Sequence, residues 1–161
     1  MSQHHLKVEE RLFANAQFLP EMVKLLNEGH TVTLKLKGFS MRPFLEDGRD
    51  KALLTRAISP RKGDAVLAEV RPGVYVLHRI IRIEGDRVTL RGDGNLSSEE
   101  CRLTDVKAFA MGFYRKGRTK IDKTNGMKWL VYSFLWTRLF PLRRFLLAFY
   151  RRIWLKTFKP I

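Results

Sequence analysis

Between residues 31 and 114, apolar and polar positions alternate in short runs. Val32, Leu34 and Leu36 alternate with Thr31, Thr33, Lys35 and Lys37, which predicts a half-buried strand. Further strand-like segments fall at 52–55, 65–70, 74–83, 87–91 and 106–114, with turns between them such as Lys62-Gly63-Asp64 and Arg71-Pro72-Gly73. Ahead of this region, Met22, Val23, Leu25 and Leu26 share one helical face. They predict a helix over 20–28 with Pro20 at its first position and Gly29 as its stop, and residues 6–16 are compatible with an earlier start. After residue 126 the strand pattern ends, and Pro141 divides the remainder into two helical pieces, 128–140 and 142–156. The chain therefore reads as mainly β, a twisted sheet with a short N-terminal helix and C-terminal basic amphipathic helices. Its segments are 1–30 (helical), 31–114 (β domain), 115–126 (basic linker) and 127–161 (basic aromatic tail), and no internal repeat is visible.

Charge changes this picture only at the end of the chain. The 161 residues suit one domain. Residues 1–114 hold 18 Lys and Arg against 15 Asp and Glu, whereas 115–161 hold 13 against one. The basic character belongs to the tail. A single cysteine, Cys101, excludes an internal disulfide and with it the small secreted scaffold; without a histidine near it in sequence, it reads as a buried or idle thiol. The first 16 residues lack the apolar core of a signal peptide, so no N-terminal export segment is expected. His4, His5 and His30 have no ligand spacing around them, and no metal or cofactor is expected.

Chemistry concentrates at three places. Gly38-Phe39-Ser40-Met41-Arg42-Pro43 follows the first strand, where a loop can expose a reactive hydroxyl, and a serine needs a base to become a nucleophile. His78 lies in the segment 74–83, joined through Glu84-Gly85-Asp86 to 87–91 in a hairpin pattern. With Glu84-Gly85 as the loop His78 opposes Arg91, and with all three residues as the loop it opposes Gly92. Either register brings Asp93 within one or two positions of the partner of His78, a distance that an Asp and a His bridge. Each residue also has a structural reading: Ser40 and Asp93-Gly94-Asn95 as turns, His78 as a core-edge histidine.

The order of these segments resembles the signal peptidase I and LexA-like serine peptidase clan. Residues 38–45 followed by Gly48-Arg49-Asp50 look like its nucleophile box, Lys62-Gly63-Asp64-Ala65-Val66 like its second box, and Tyr75-Val76-Leu77-His78-Arg79-Ile80-Ile81 like its base-carrying strand. Gly85-Asp86 and Gly92-Asp93-Gly94-Asn95 then follow in order. With histidine before Arg79, the resemblance is closest to the Ser-His branch of endoplasmic reticulum, archaeal and sporulation-type signal peptidases. It implies Ser40 as nucleophile, His78 as base, and Asp93 as the orienting acid with Glu99 or Glu100 as the alternative. It also implies the Ser40 backbone N–H in the oxyanion hole, substrate contacts at Gly38, Phe39, Met41 and Pro43, and cleavage after small residues. The clan's N-terminal membrane anchor has no counterpart here, so the expected site faces the cytoplasm.

The tail from 127 to 161 carries ten of the eighteen aromatics and eight basic residues but no acid, and its longest uncharged run, 129–137, is too short to span a bilayer. Arg144 and Arg151 stand seven apart while Phe145, Phe149 and Ile153 share another side. Such a helix fits an anionic membrane surface, or packs on the body or a second copy; nucleic acid is not favoured, because no recognised motif accompanies the basic residues. Two functions follow: a serine endopeptidase peripheral on the inner membrane face that cuts peptide or preprotein substrates, or a non-catalytic peptide- or membrane-binding module on a peptidase fold. The triplet Ala14-Asn15-Ala16 makes self-processing after Ala16 conceivable.

Overall fold

The computed structural model describes residues 15–158 and 160–161. His4, His5, Ala14 and most of the segment 6–16 lie outside these residues. The chain forms one antiparallel sheet of eight strands: β1 (Val32–Lys35), β2 (Lys51–Arg56), β3 (Ala65–Arg71), β4 (Val74–Glu84), β5 (Arg87–Arg91), β6 (Glu99–Arg102), β7 (Val106–Tyr114) and β8 (Ile121–Lys123). Their order is β1-β2-β7-β3-β4-β5-β6, with β8 added on β7. Helix α1 (Asn15–Asn27) precedes the sheet, and α2 (Met127–Arg138) and α3 (Arg143–Phe149) follow it. A 3-10 turn at Phe140–Leu142 separates α2 from α3, and α3 runs on through the π-helical stretch Tyr150–Trp154.

Two differences from the sequence reading have local causes. Helix α1 begins before Pro20, which lies inside it rather than at its first position. A proline there removes one backbone hydrogen bond, and Met22 and Leu26, both fully buried against the sheet, supply the packing that holds the helix in place. The β4–β5 loop is Gly85-Asp86, because Gly85 adopts a φ of +56° and Glu84 pairs with Arg87. An irregularity between Ile80 and Arg82 then shifts the register, so that Arg79 opposes Arg91 and His78 lies just beyond the ladder.

The sheet carries two cores. Ala65 and Leu67 of β3 join one with Met22, Leu26, Phe44, Leu54, Phe113 and Trp129, while Val66 and Ala68 join the other with Ile80, Val88 and Leu90. Burial on both faces explains why β3 reads as a continuous apolar run rather than an alternation. The first core also holds the tail: Trp129 of α2 is buried edge-on to Phe44 at 4.9 Å and lies 4.9 Å from the ring of Phe113. Trp129→Ala is expected to cost about 3–5 kcal/mol of stability, measured as a shift of the urea midpoint. A loss below about 1 kcal/mol would show that α2 is not part of the folded core.

Candidate functional site

Two loops, 38–48 and 92–95, and the strands β4 and β6 supply the residues of the site. The loop bearing Ser40 follows β1 and turns at Gly38, whose φ of +86° suits glycine and whose N–H donates to Asp47 Oδ1 at 2.7 Å. Met41, Phe44 and Leu45 anchor the loop by burial, and the Arg42 side chain donates to Glu46. Downstream, Asp50 is fully buried and accepts from Arg49 and from the N–H groups of Glu46 and Lys116. Burial pushes its carboxyl up, but Arg49 and the two N–H donors outweigh this and hold it below the usual value. Ser40 is left half-buried, with its N–H free of hydrogen bonds to the described residues.

This loop is fastened to the Gly92–Asn95 loop by the Gly94 N–H, which donates to the Ser40 carbonyl at 2.7 Å. Two glycines permit the approach. A Cβ at Gly92 would overlap the Ser40 carbonyl oxygen and lie 3.0 Å from His78 Nε2, and one at Gly94 would lie 2.6 Å from the Phe39 carbonyl oxygen. Gly92 thus marks the point where Ser40 and His78 meet. Both residues line one cavity of about 160 Å³ with Gly38, Met41, Tyr75 and Leu77, and no hydrogen bond joins their side chains. Of the other expected substrate contacts, Phe39 is exposed beneath the Arg42 guanidinium and, like Pro43, does not line the cavity.

The sequence reading favours Asp93 as the acid beside His78, but the structure places Glu99 there and gives Asp93 to Arg79. His78 Nδ1 faces Glu99 Oε2 at 2.6 Å, out of line for a straight N–H···O bond, and neither atom has another hydrogen-bond partner. Asp93 instead takes a two-pronged bond from Arg79, Nε at 3.0 Å and Nη2 at 2.8 Å, and a bond from the Tyr132 hydroxyl at 2.9 Å. Glu100 lies on the exposed rim with Arg87. Burial pushes the His78 pKa below its ordinary 6.5, and the nearby Glu99, with a smaller contribution from Asp93, pulls it partway back. The imidazole is therefore neutral at neutral pH, the form a base requires.

The tail supplies residues that the sequence reading did not assign to the site. Trp136 Nε1 donates to the Asp93 carbonyl at 2.9 Å, Arg143 Nη1 to the Asn95 carbonyl at 3.5 Å, and Arg151 Nη2 to the Gly94 carbonyl at 3.3 Å. Ser133 accepts from Arg79 at 2.6 Å. The spacing 129, 132, 133 and 136 marked one helix face, but not what that face meets. Cys101 sits apart on β6, where burial and Asp105 push its thiol up to about 11, so it stays protonated.

The sequence matches no protein-family model, and a search of curated proteins returns no match either.

Two measurements test this geometry. Gly92→Ala forces the two loops apart and is expected to remove any activity that needs Ser40 and His78 together, while the protein stays folded by circular dichroism. The titration of His78, followed by NMR, is expected below pH 6.5 and is expected to move lower still in Glu99→Gln, because the group that raises it is gone. A larger downward move in Asp93→Asn than in Glu99→Gln would reverse the assignment of the acid.

Proposed function

We propose that the protein is a serine endopeptidase of the signal peptidase and LexA-like type. The observation that carries this reading is the meeting of Ser40 and neutral, buried His78 across Gly92, with a carboxylate on the far nitrogen of the imidazole. Ser40 Oγ attacks the scissile carbonyl, His78 takes its proton and returns it to the leaving amine, and Glu99 orients the ring and stabilises the imidazolium. The N–H of Ser40, unbonded among the described residues, receives the oxyanion. Asp93 serves as a support that fixes the loop rather than as the acid of the relay.

The cavity bears on the substrate. At about 160 Å³ it is smaller than an ordinary ligand pocket, about 300 to 1,000 Å³, and so it takes a small side chain. The strand β4 pairs with β3 along 74–77, but its ladder with β5 begins only at Arg79, so this edge stands open beside the cavity. An extended peptide added along that edge would present one side chain to the cavity.

Cleavage of a peptide library is expected after small residues, with losses of about 10³-fold or more in Ser40→Ala and His78→Ala. Loss of about 10² to 10⁴-fold is expected in Glu99→Gln. A Ser40→Ala protein as fast as the parent would refute the mechanism, and a folded parent that cuts nothing but binds peptides would make this a binding module.

Attachment to a membrane surface belongs to the same reading. Among the described residues no helix is long and apolar enough to cross a membrane. On α2, Met127, Leu130, Val131, Phe134 and Leu135 nevertheless face outward, as do Phe145, Phe149 and Ile153 beyond it, with Phe134 61% and Phe145 68% exposed. An apolar face on a basic segment fits an anionic bilayer surface. Phe134→Ser with Phe145→Ser is expected to weaken sedimentation with phosphatidylglycerol-containing vesicles by about tenfold or more. Unchanged sedimentation would remove this part of the proposal.

A further inference from the structure

A second cavity, of about 280 Å³, lies between the Gly92–Asn95 loop and α3 and is lined by Gly94, whose N–H bonds the Ser40 carbonyl. Its walls are Arg144, Arg151 and Arg152 with Leu147 and Ala148, and its floor is Gly94 and Leu96. No carboxylate lines it. The acids of the neighbouring segments are engaged elsewhere, Asp93 with Arg79, Glu99 with His78 and Glu100 with Arg87. With the described residues, only Arg151 of these three arginine side chains makes a hydrogen bond, to the Gly94 carbonyl, and Arg144 and Arg152 form no ion pair.

Three guanidinium groups around one hollow repel each other unless an anion sits between them, and their planar forks match phosphate oxygens two at a time. The volume exceeds what a bare ion fills. The rim decides the rest: Phe145 and Phe149 stand on the helix stripe next to Arg144 and Ala148, and with Leu142 they are more than half exposed. A free phosphate leaves that apolar rim in water, whereas a phosphate ester carrying acyl chains covers it.

We propose that this cavity binds the headgroup of a single anionic phospholipid, its phosphate held by Arg144, Arg151 and Arg152 and its chains lying along Phe145 and Phe149. The proposal deepens the membrane attachment given above and rests on it. Bound there, the phosphate lies against Gly94, the residue whose N–H bonds the Ser40 carbonyl.

The test uses the full chain and vesicles of phosphatidylcholine alone or with phosphatidylglycerol. Charge is kept by replacing Arg144→Lys and Arg152→Lys together, with Arg138→Lys in α2 as the control, and thermal midpoints check that each variant is folded. A fitted headgroup site predicts about tenfold weaker binding of the double variant to the phosphatidylglycerol vesicles, because lysine cannot make the two-pronged bond; the control stays within about twofold. Equal binding of the double variant and the parent overturns the site and leaves attachment standing as a diffuse charge effect. That outcome, joined to saturable binding of inorganic phosphate by the parent without vesicles, assigns the cavity to a free anion. A parent that ignores both kinds of vesicle overturns attachment and headgroup site together, whatever the peptidase assay gives.

Discussion

A guanidinium removed from water needs partners for its whole fork, and Arg79, 1% exposed, finds them on three different parts of the chain. Asp93 binds it from the Gly92–Asn95 loop, the Gly63 carbonyl from the turn before β3, and Ser133 from α2, with the Trp129 ring 4.6 Å away. Tyr132 then closes the far side of Asp93. Removing one partner of such a pair leaves a charge buried without compensation, a cost of about 3–5 kcal/mol. The ion pair therefore ties strand, loop and tail into one arrangement. It also sets where the neighbour of Arg79, His78, is held.

This constraint explains the orientation of the tail. The carbonyls of Asp93, Gly94 and Asn95 form a loop buried against the body, and buried carbonyls require donors. Trp136, Arg151 and Arg143 provide them, so these three donors reach the loop, Trp129 and Leu147 pack inward beside them, and Leu130, Phe134, Leu135, Phe145 and Phe149 are left exposed. The surface proposed for the membrane thus belongs to the same helices that satisfy the Gly92–Asn95 loop.

Much of this was legible in the residues. The alternation at 31–37 and the turn-bounded runs from 52 to 114 correspond to β1 through β5 and β7, and Pro141 lies in the short turn between the tail helices. The strands β6 and β8 escaped notice because four and three residues are too few to show a period. Ser40 and His78 stood out by residue type and position, whereas hairpin spacing favoured Asp93 over Glu99 and the structure puts Glu99 beside the imidazole. Hairpin register places a backbone, but a carboxylate turns toward whichever buried cation or imidazole the tertiary packing offers.

The sequence by itself determined a mainly antiparallel β chain, the loop bearing Ser40, the strand bearing His78 and the basic aromatic character of the end, because periodicity, turn residues and composition are local properties. Only the tertiary structure decided that Glu99 rather than Asp93 faces the imidazole, that Asp93 belongs to Arg79 and Tyr132, and that Trp136, Arg143 and Arg151 of the tail bond the carbonyls of the loop. Each of those outcomes depends on contacts between segments up to 57 residues apart, as in the bond from Arg151 to Gly94. Contacts at that range follow from competition among buried polar groups for the nearest partner, which no local pattern records.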